Sequence, residues 1–177
     1  MKPSYVYCLM GMAGAGLLGC AGSGPQQWPV REIAEPYDLA EAQRLIQDRG
    51  SNRVTGNAFM RQQGGGVVTC AGQDVYLLPA TPYTTRRIQH LYGNDTAGVN
   101  HERRAYRFVP DPQGYFTTAR ISKCNSQGNF TFERVMDGTF YLTTLVSWQV
   151  GYATQGAYLM HRVTVVGGQT ADAILSP

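Results

Sequence analysis

The sequence predicts a mostly β chain: one antiparallel sandwich of about seven or eight strands, with a helix before it and a helical insertion within it. Three observations predict this. Residues Gln127 to Trp148 read as strand, tight turn, strand. Phe130 and Phe132 alternate with Asn129, Thr131 and Glu133, Asp137-Gly138 occupies the turn, and Phe140, Leu142, Thr144, Val146 and Trp148 share one face of the second run. A period of two is what a strand with one buried face requires, and Asp-Gly between two such runs is a strong hairpin signal. Further short runs follow with turns about every 8–12 residues, the spacing of a sandwich rather than of a parallel sheet. The composition agrees: 43% hydrophobic, only 15% charged, with 21 Gly and 11 Tyr, a mix that suits a β-rich exported protein.

The chain begins with a targeting segment. Lys2 supplies a positive start, and Val6 to Leu18 is apolar and small, about a dozen residues and too short to span a bilayer. It ends in Leu17-Leu18-Gly19-Cys20, which resembles the bacterial lipobox. That resemblance implies a signal peptide over residues 1–19, cleavage before Cys20, and acylation of the Cys20 thiol. Ala21, in place of Asp, implies sorting to the outer membrane. Several acyl chains bury enough CH₂ groups for stable anchoring. Gly14-Ala15-Gly16-Leu17-Leu18-Gly19 matches G-x-G-x-x-G, but no strand precedes it, so it is no nucleotide fingerprint. Residues 20–36, rich in Gly, Pro and Gln, predict a flexible tether. Trp28 within it has either the membrane or the domain to touch.

Residues 37–177 read as a single domain, long enough to bury a core. Asp38-Leu39-Ala40-Glu41 has capping-box form, Leu39, Ala42, Leu45 and Ile46 follow at helical spacing, and Gly50 stands as a stop; a helix over 38–49 is expected. Asn52 to Met60 predicts a strand, with Val54, Gly56, Ala58 and Met60 on one face. Gln62 to Gly66 is a turn, since a phosphate loop would continue into Lys-Ser or Lys-Thr and Val67-Val68 follows instead. Val67 to Ala71 and Gln73 to Ala80 predict two more strands. Thr81-Pro82 opens a helix, Thr as N-cap and Pro at the first position, stopped by Gly93; the helical insertion covers about 81–103. Gly93 to Glu102 reads as a polar loop, Arg104 to Val109 and Tyr115 to Lys123 as strands, Gly151 to Gly156 as a loop, and Ala157 to Val166 and Thr170 to Leu175 as the last strands, joined at Gly167-Gly168.

Gly128-x-Phe130-x-Phe132-x-x-Val135-x-x-Gly138-x-Phe140, with Val54-Thr55-Gly56 and Gly72-Gln73-Asp74-Val75-Tyr76-Leu77 upstream, resembles the carboxypeptidase regulatory-like domain, a transthyretin-like sandwich. Met136 departs from the family, which often has Pro there. The resemblance covers about Asn52 to Ser176 apart from Thr81–Thr118, and it implies a fold without an activity.

Cys70 and Cys124 remain once Cys8 leaves with the leader and Cys20 is acylated. In an oxidising compartment a Cys70–Cys124 disulfide is the natural pairing; two separate buried thiols are the alternative. The bridge would close a loop of about 54 residues, worth roughly 4 kcal/mol on the chain-entropy model.

No catalytic constellation is visible. His90, His101 and His161 stand apart from one another and from Cys or Glu at metal-ligand spacing, and His161 shares a strand face with Leu159, Val163 and Val165. G-x-S-x-G is missing, and so is a carboxylate pair suited to glycoside hydrolysis. Asp111 and Asp137 fall in turns, where Asp has a local use. No cofactor, no metal and no enzymatic activity are expected. The net charge of +3 gives no case for nucleic acid. Arg86, Arg87, Arg103, Arg104 and Arg107 are the one concentration of charge, read either as a solvated face or as a docking surface for an envelope protein or an anionic envelope polymer. Tyr83, Tyr92, Tyr106 and Tyr115 lie in the same region. The chain therefore reads as a lipid-anchored, non-catalytic binding or structural module at the outer membrane, facing the periplasm or the cell surface. A component of a multi-protein secretion machine and an envelope hydrolase with a dispersed site are the alternatives.

Overall fold

The computed structural model describes residues 28–101 and 106–177. The leader, Cys20, Arg103 and Arg104 lie outside them. In chain order the elements are β1 (Val30–Glu32), α1 (Leu39–Leu45), β2 (Asn52–Arg61), β3 (Val67–Thr69), β4 (Asp74–Pro79), α2 (Pro82–Tyr92), β5 (Ala97–Asn100), β6 (Arg107–Val109), a 3-10 helix (Gln113–Thr117), β7 (Arg120–Lys123), β8 (Asn129–Val135), β9 (Gly138–Val150), β10 (Ala153–Val165) and β11 (Thr170–Leu175).

They form a two-layered sandwich. One layer has the strand order β5-β10-β9-β4-β7. The other is built on β2, which pairs β11 on one side and, on the other, β8 along Asn52–Asn57 and β3 along Phe59–Arg61. Pairing within the layers is antiparallel except between β2 and β11, which run parallel. Between the layers lies the main core: Val54, Ala58 and Met60 from β2, Phe130 and Phe132 from β8, Leu175 from β11, facing Val75 and Leu77 from β4, Phe140, Leu142 and Val146 from β9, and Leu159 and Val165 from β10. These are the alternating positions of each strand, so the period of two in the sequence is the period of burial. Cys70 and Cys124 are disulfide-bonded, with Cα atoms 5.8 Å apart.

Asp137-Gly138 does not close a hairpin, contrary to the expectation from the sequence. β8 pairs with β2 and β9 with β4 and β10, so the chain crosses here from one layer to the other. The groups that would have closed a turn bond elsewhere. The Asp137 carboxylate accepts from Asn52 Nδ2 at 2.7 Å and from the Gly167 N–H at 3.0 Å, and Asn52 Nδ2 also donates to the Val135 carbonyl at 3.0 Å. Just before the crossing β8 carries a bulge, with Arg134 in the left-handed region at φ 51°. The apolar alternation of the two strands is the same whether they lie side by side or face each other, so it could not tell a hairpin from an arch.

Other boundaries also moved. The first helix ends at Leu45, not Arg49. Gly50 is not its cap: its backbone passes so close to β8 that a Cβ would stand 1.9 Å from the Val135 carbonyl oxygen. The second helix has the expected start and stop, Thr81 accepting from the Thr84 N–H and Gly93 in the left-handed conformation at φ 80°. The predicted polar loop contains β5, which extends the sheet along β10. The predicted strand over 115–123 divides into the 3-10 helix and β7. The predicted loop Gly151–Gly156 shrinks to a two-residue turn, because β9 and β10 pair from Gly138–Val165 out to Val150–Ala153. Beyond Trp148, which still packs against the core, that hairpin is exposed, so Gln149 to Gln155 carry no alternation to read. The predicted tether is partly ordered: β1 pairs in parallel with β6, and Ile33 is buried beneath it.

Candidate functional site

Among the described residues, Arg86 and Arg107 of the insertion face outward and Arg87 does not. Arg87 is only 8% exposed. Its guanidinium lies 4.2 Å from the Phe108 ring centroid and 4.4 Å from that of Tyr115, and it pairs with Asp111 at 2.6 Å and donates to Tyr83 Oη at 3.2 Å. Tyr37, Tyr83 and Tyr115 pack edge to face with centroids 5.4 to 5.7 Å apart, and the Tyr83 hydroxyl donates to the Pro110 carbonyl at 2.7 Å. Burial pushes the Tyr115 hydroxyl well above the usual phenol range. Arg87 is thus the buried peg that fastens β6 and the 3-10 helix to α2, and Asp111 is its counterion. Arg86 points outward but is held by Glu35 at 3.0 Å and by Gln89 at 3.0 Å. Arg107 is exposed on β6. Of the five arginines read as a solvated face or a docking surface, Arg87 is the buried one, Arg86 and Arg107 face outward, and Arg103 and Arg104 lie outside the described residues.

A different site emerges on the outer face of the five-stranded layer. At one end α2 covers this face, packing Ile88 onto Tyr141 and Met160 with Leu78 and Tyr92 alongside. Among the described residues the other end is uncovered. Its floor is the outward row of β9: Thr143, Leu145 and Ser147. Two hollows meet there, sharing Leu145 and Tyr158. The larger, of about 500 Å³, runs over Ser147, Thr154 and Gln155 to His101. The smaller, of about 280 Å³, lies between Tyr76, Tyr92 and Asp74. Tyr76 and Tyr158 are 39% and 40% exposed. The strand pattern puts them there: Tyr76 opposes Thr143, and Tyr158 opposes Leu145, so all four project on the same side of the sheet.

The chemistry of this trough is that of neutral hydrogen bonding around ring faces. Burial pushes the Tyr92 hydroxyl well above the usual phenol range. Gln149 Nε2 donates to Thr154 Oγ1 at 2.8 Å. Asp74 is the carboxylate in the lining, and Lys123 pairs with it at 2.7 Å. No Lys or Arg stands among the described lining residues. A third hollow, of about 340 Å³ between Glu35, Pro82 and Gln89, is spanned by the Arg86–Glu35 pair.

Of the three histidines, His101 borders the trough, His90 packs near Phe108 with centroids 6.2 Å apart, and His161 is half-buried, its pKa lowered by that burial. Asp137 belongs to the crossing between layers and not to the trough. Among the described residues no group of three His, Cys, Asp or Glu side chains is placed to hold a metal ion. Sequence reasoning missed the trough altogether. The signal was present in Tyr76 and Tyr158, large rings on the polar side of their strands, where an aromatic has no core to fill.

No family model matches this chain, and no curated protein matches it. Among solved structures it is similar to a "putative carbohydrate binding protein" from Pseudomonas aeruginosa, at 22% identity and a TM-score of 0.59, over 80% of this chain and 99% of that one. At that identity the likeness concerns the fold, the β-sandwich just described. Chlorocatechol 1,2-dioxygenase from Pseudomonas putida aligns at 10% identity and a TM-score of only 0.25, over 88% of this chain and 69% of that one, too slight a likeness to carry an argument.

Proposed function

We propose that this chain is a non-catalytic carbohydrate-binding module, tethered to the outer membrane through an acylated Cys20. The observation that carries the proposal is the trough: tyrosine rings exposed on the outer face of a sheet, amid hydroxyl and amide groups. A pyranose has the complementary make-up, with apolar C–H faces and a belt of hydroxyls. Rings such as Tyr76 and Tyr158 offer an apolar face with little conformational entropy to lose. Ser147, Thr154 and Gln155 supply donors and acceptors for the hydroxyls. The similar fold of a protein described as carbohydrate-binding supports the same reading, as does the resemblance to transthyretin-like domains, which implies a scaffold rather than a reaction centre. The lipid anchor rests on Leu17-Leu18-Gly19-Cys20, and with it the location in the envelope.

Two experiments test this. Fluorescently labelled mature domain is applied to an array of bacterial and plant glycans; selective binding that Tyr158→Ala abolishes is the expected result, and no binding to any glycan sinks it. Separately, cells expressing Cys20→Ser are fractionated. Release of the variant into the soluble periplasm is expected, and continued membrane association overturns the anchor.

A further inference from the structure

We infer that the trough takes a linear, uncharged polysaccharide, engaged over at least three consecutive sugar units, and not a mono- or disaccharide. The inference rests on the carbohydrate reading above and specifies its ligand. It comes from the register of the sheet. Tyr76 on β4 opposes Thr143 of β9, and Tyr158 on β10 opposes Leu145 of the same strand. The two tyrosines are therefore two strand spacings apart across the sheet and two residues apart along it, about 12 Å on the diagonal. A sugar unit advances a linear chain by roughly one interstrand spacing, so no fewer than three units bridge the two rings. Leu145 lies between them on the floor and lines both hollows, so the path is continuous. Past Tyr158 the trough goes on over Ser147 to Thr154. From Thr143 to Gln149 the β9 floor measures about 20 Å; α2, through Tyr92 and the Ile88–Met160 packing, bounds its Thr143 end.

The charge of the site selects the polymer. A polyanion needs fixed cations, and among the described residues no Lys or Arg lines either hollow, while Lys123 is paired with the Asp74 carboxylate. Carboxylate or phosphate groups on the sugar would be stripped of water against Leu145 and the tyrosines with only neutral hydroxyl and amide donors in return, which disfavours their binding.

Isothermal titration tests the inference with the mature domain and two series of probes: oligomers of glucose and of N-acetylglucosamine from one to six units, and oligogalacturonates of the same lengths. In the neutral series that binds, affinity is expected to rise at least tenfold from the dimer to the tetramer and then to level off. Tyr76→Ala should bring the tetramer down to the dimer's affinity, and Tyr158→Ala should remove binding at every length. Both side chains are substantially exposed, so both variants are expected to keep the wild-type circular dichroism spectrum. If monomer and hexamer bind alike and Tyr76→Ala changes nothing while Tyr158→Ala still matters, the carbohydrate reading stands and the extended site is overturned. Galacturonates binding as tightly as neutral oligomers overturn the charge selection. If no oligomer of either kind binds at any length, the carbohydrate reading itself falls.

Discussion

Arg87 is the residue whose sequence context misleads most. It neighbours Arg86, and together they look like a solvated basic patch. Successive helix positions point about 100° apart, so one arginine faces water while the other enters the aromatic box of Phe108, Tyr115 and Phe116. The clue was its spacing: Arg87 follows Tyr83 by four and precedes Leu91 by four, so it lies on the helix's packed stripe. Removing the guanidinium takes away the stacking and leaves Asp111, itself partly exposed, without its partner. Arg87→Ala is expected to destabilise by roughly 2–4 kcal/mol. Arg87→Lys should recover less than half, because an ammonium neither stacks nor forks. Urea denaturation measures both; an Arg87→Ala midpoint equal to wild type would refute the role. The trough residues were hidden for the opposite reason. Tyr76 and Tyr158 sit singly in their strands, and only the register brings them to one surface.

Among the elements, those that rest on local chemistry were legible and those that rest on partner choice were not. The span of β11 and both caps of α2 follow from residues within a few positions of one another. The arch between β8 and β9 depends instead on Asn52, far upstream at the start of β2. Asn52 Oδ1 accepts from the N–H groups of Gly168 and Gln169, at 2.8 and 2.9 Å, while its Nδ2 donates to Asp137. The start of β2, the arch and the β10–β11 turn thus meet on this one side chain. The bonds from Asn52 first, and from Gly167 next, hold the Asp137 carboxyl below the usual carboxylate pKa. Arg86 does the same for Glu35, and Arg134 for Asp48, which it bonds directly. A pKa lower in the folded chain means that the unfolded chain binds more protons on acidification. The stability these groups contribute is therefore present above the unfolded pKa, about 4, and is lost as pH falls through the lowered folded values. Thermal unfolding followed by circular dichroism should show the melting temperature dropping between about pH 5 and 3. Asp137→Asn should make that drop shallower, and equal slopes for variant and wild type would count against the arch as its source.

At the scale of the whole molecule, alternation in the sequence was enough for a sandwich but not for the order of its strands. The first and last long strands, β2 and β11, lie side by side, a pairing that no local pattern announces. The disulfide was legible because, with Cys8 and Cys20 assigned to the expected leader and anchor, two cysteines were left to pair. It joins the end of β3 in one layer to the end of β7 at the edge of the other, so it staples the two sheets across the core. Replacing both cysteines, Cys70→Ala with Cys124→Ala, is expected to lower stability by about 4 kcal/mol, read from the unfolding free energy extrapolated to zero urea, with a steeper slope because the unfolded chain expands; an unchanged free energy would show that the layers hold without it.

The parallel zipper of β1 on β6 sets the length of the leash that the proposed anchor would leave. Were the chain loose as far as Tyr37, about seventeen residues beyond an acylated Cys20 would let the body roam to about 60 Å from the lipid. Pinned at Val30, it keeps only about ten, roughly 35 Å when drawn taut. A short run of strand thus nearly halves the radius of patrol, and it would confine the tyrosine-lined channel to polymer lying in the thin shell next to the bilayer.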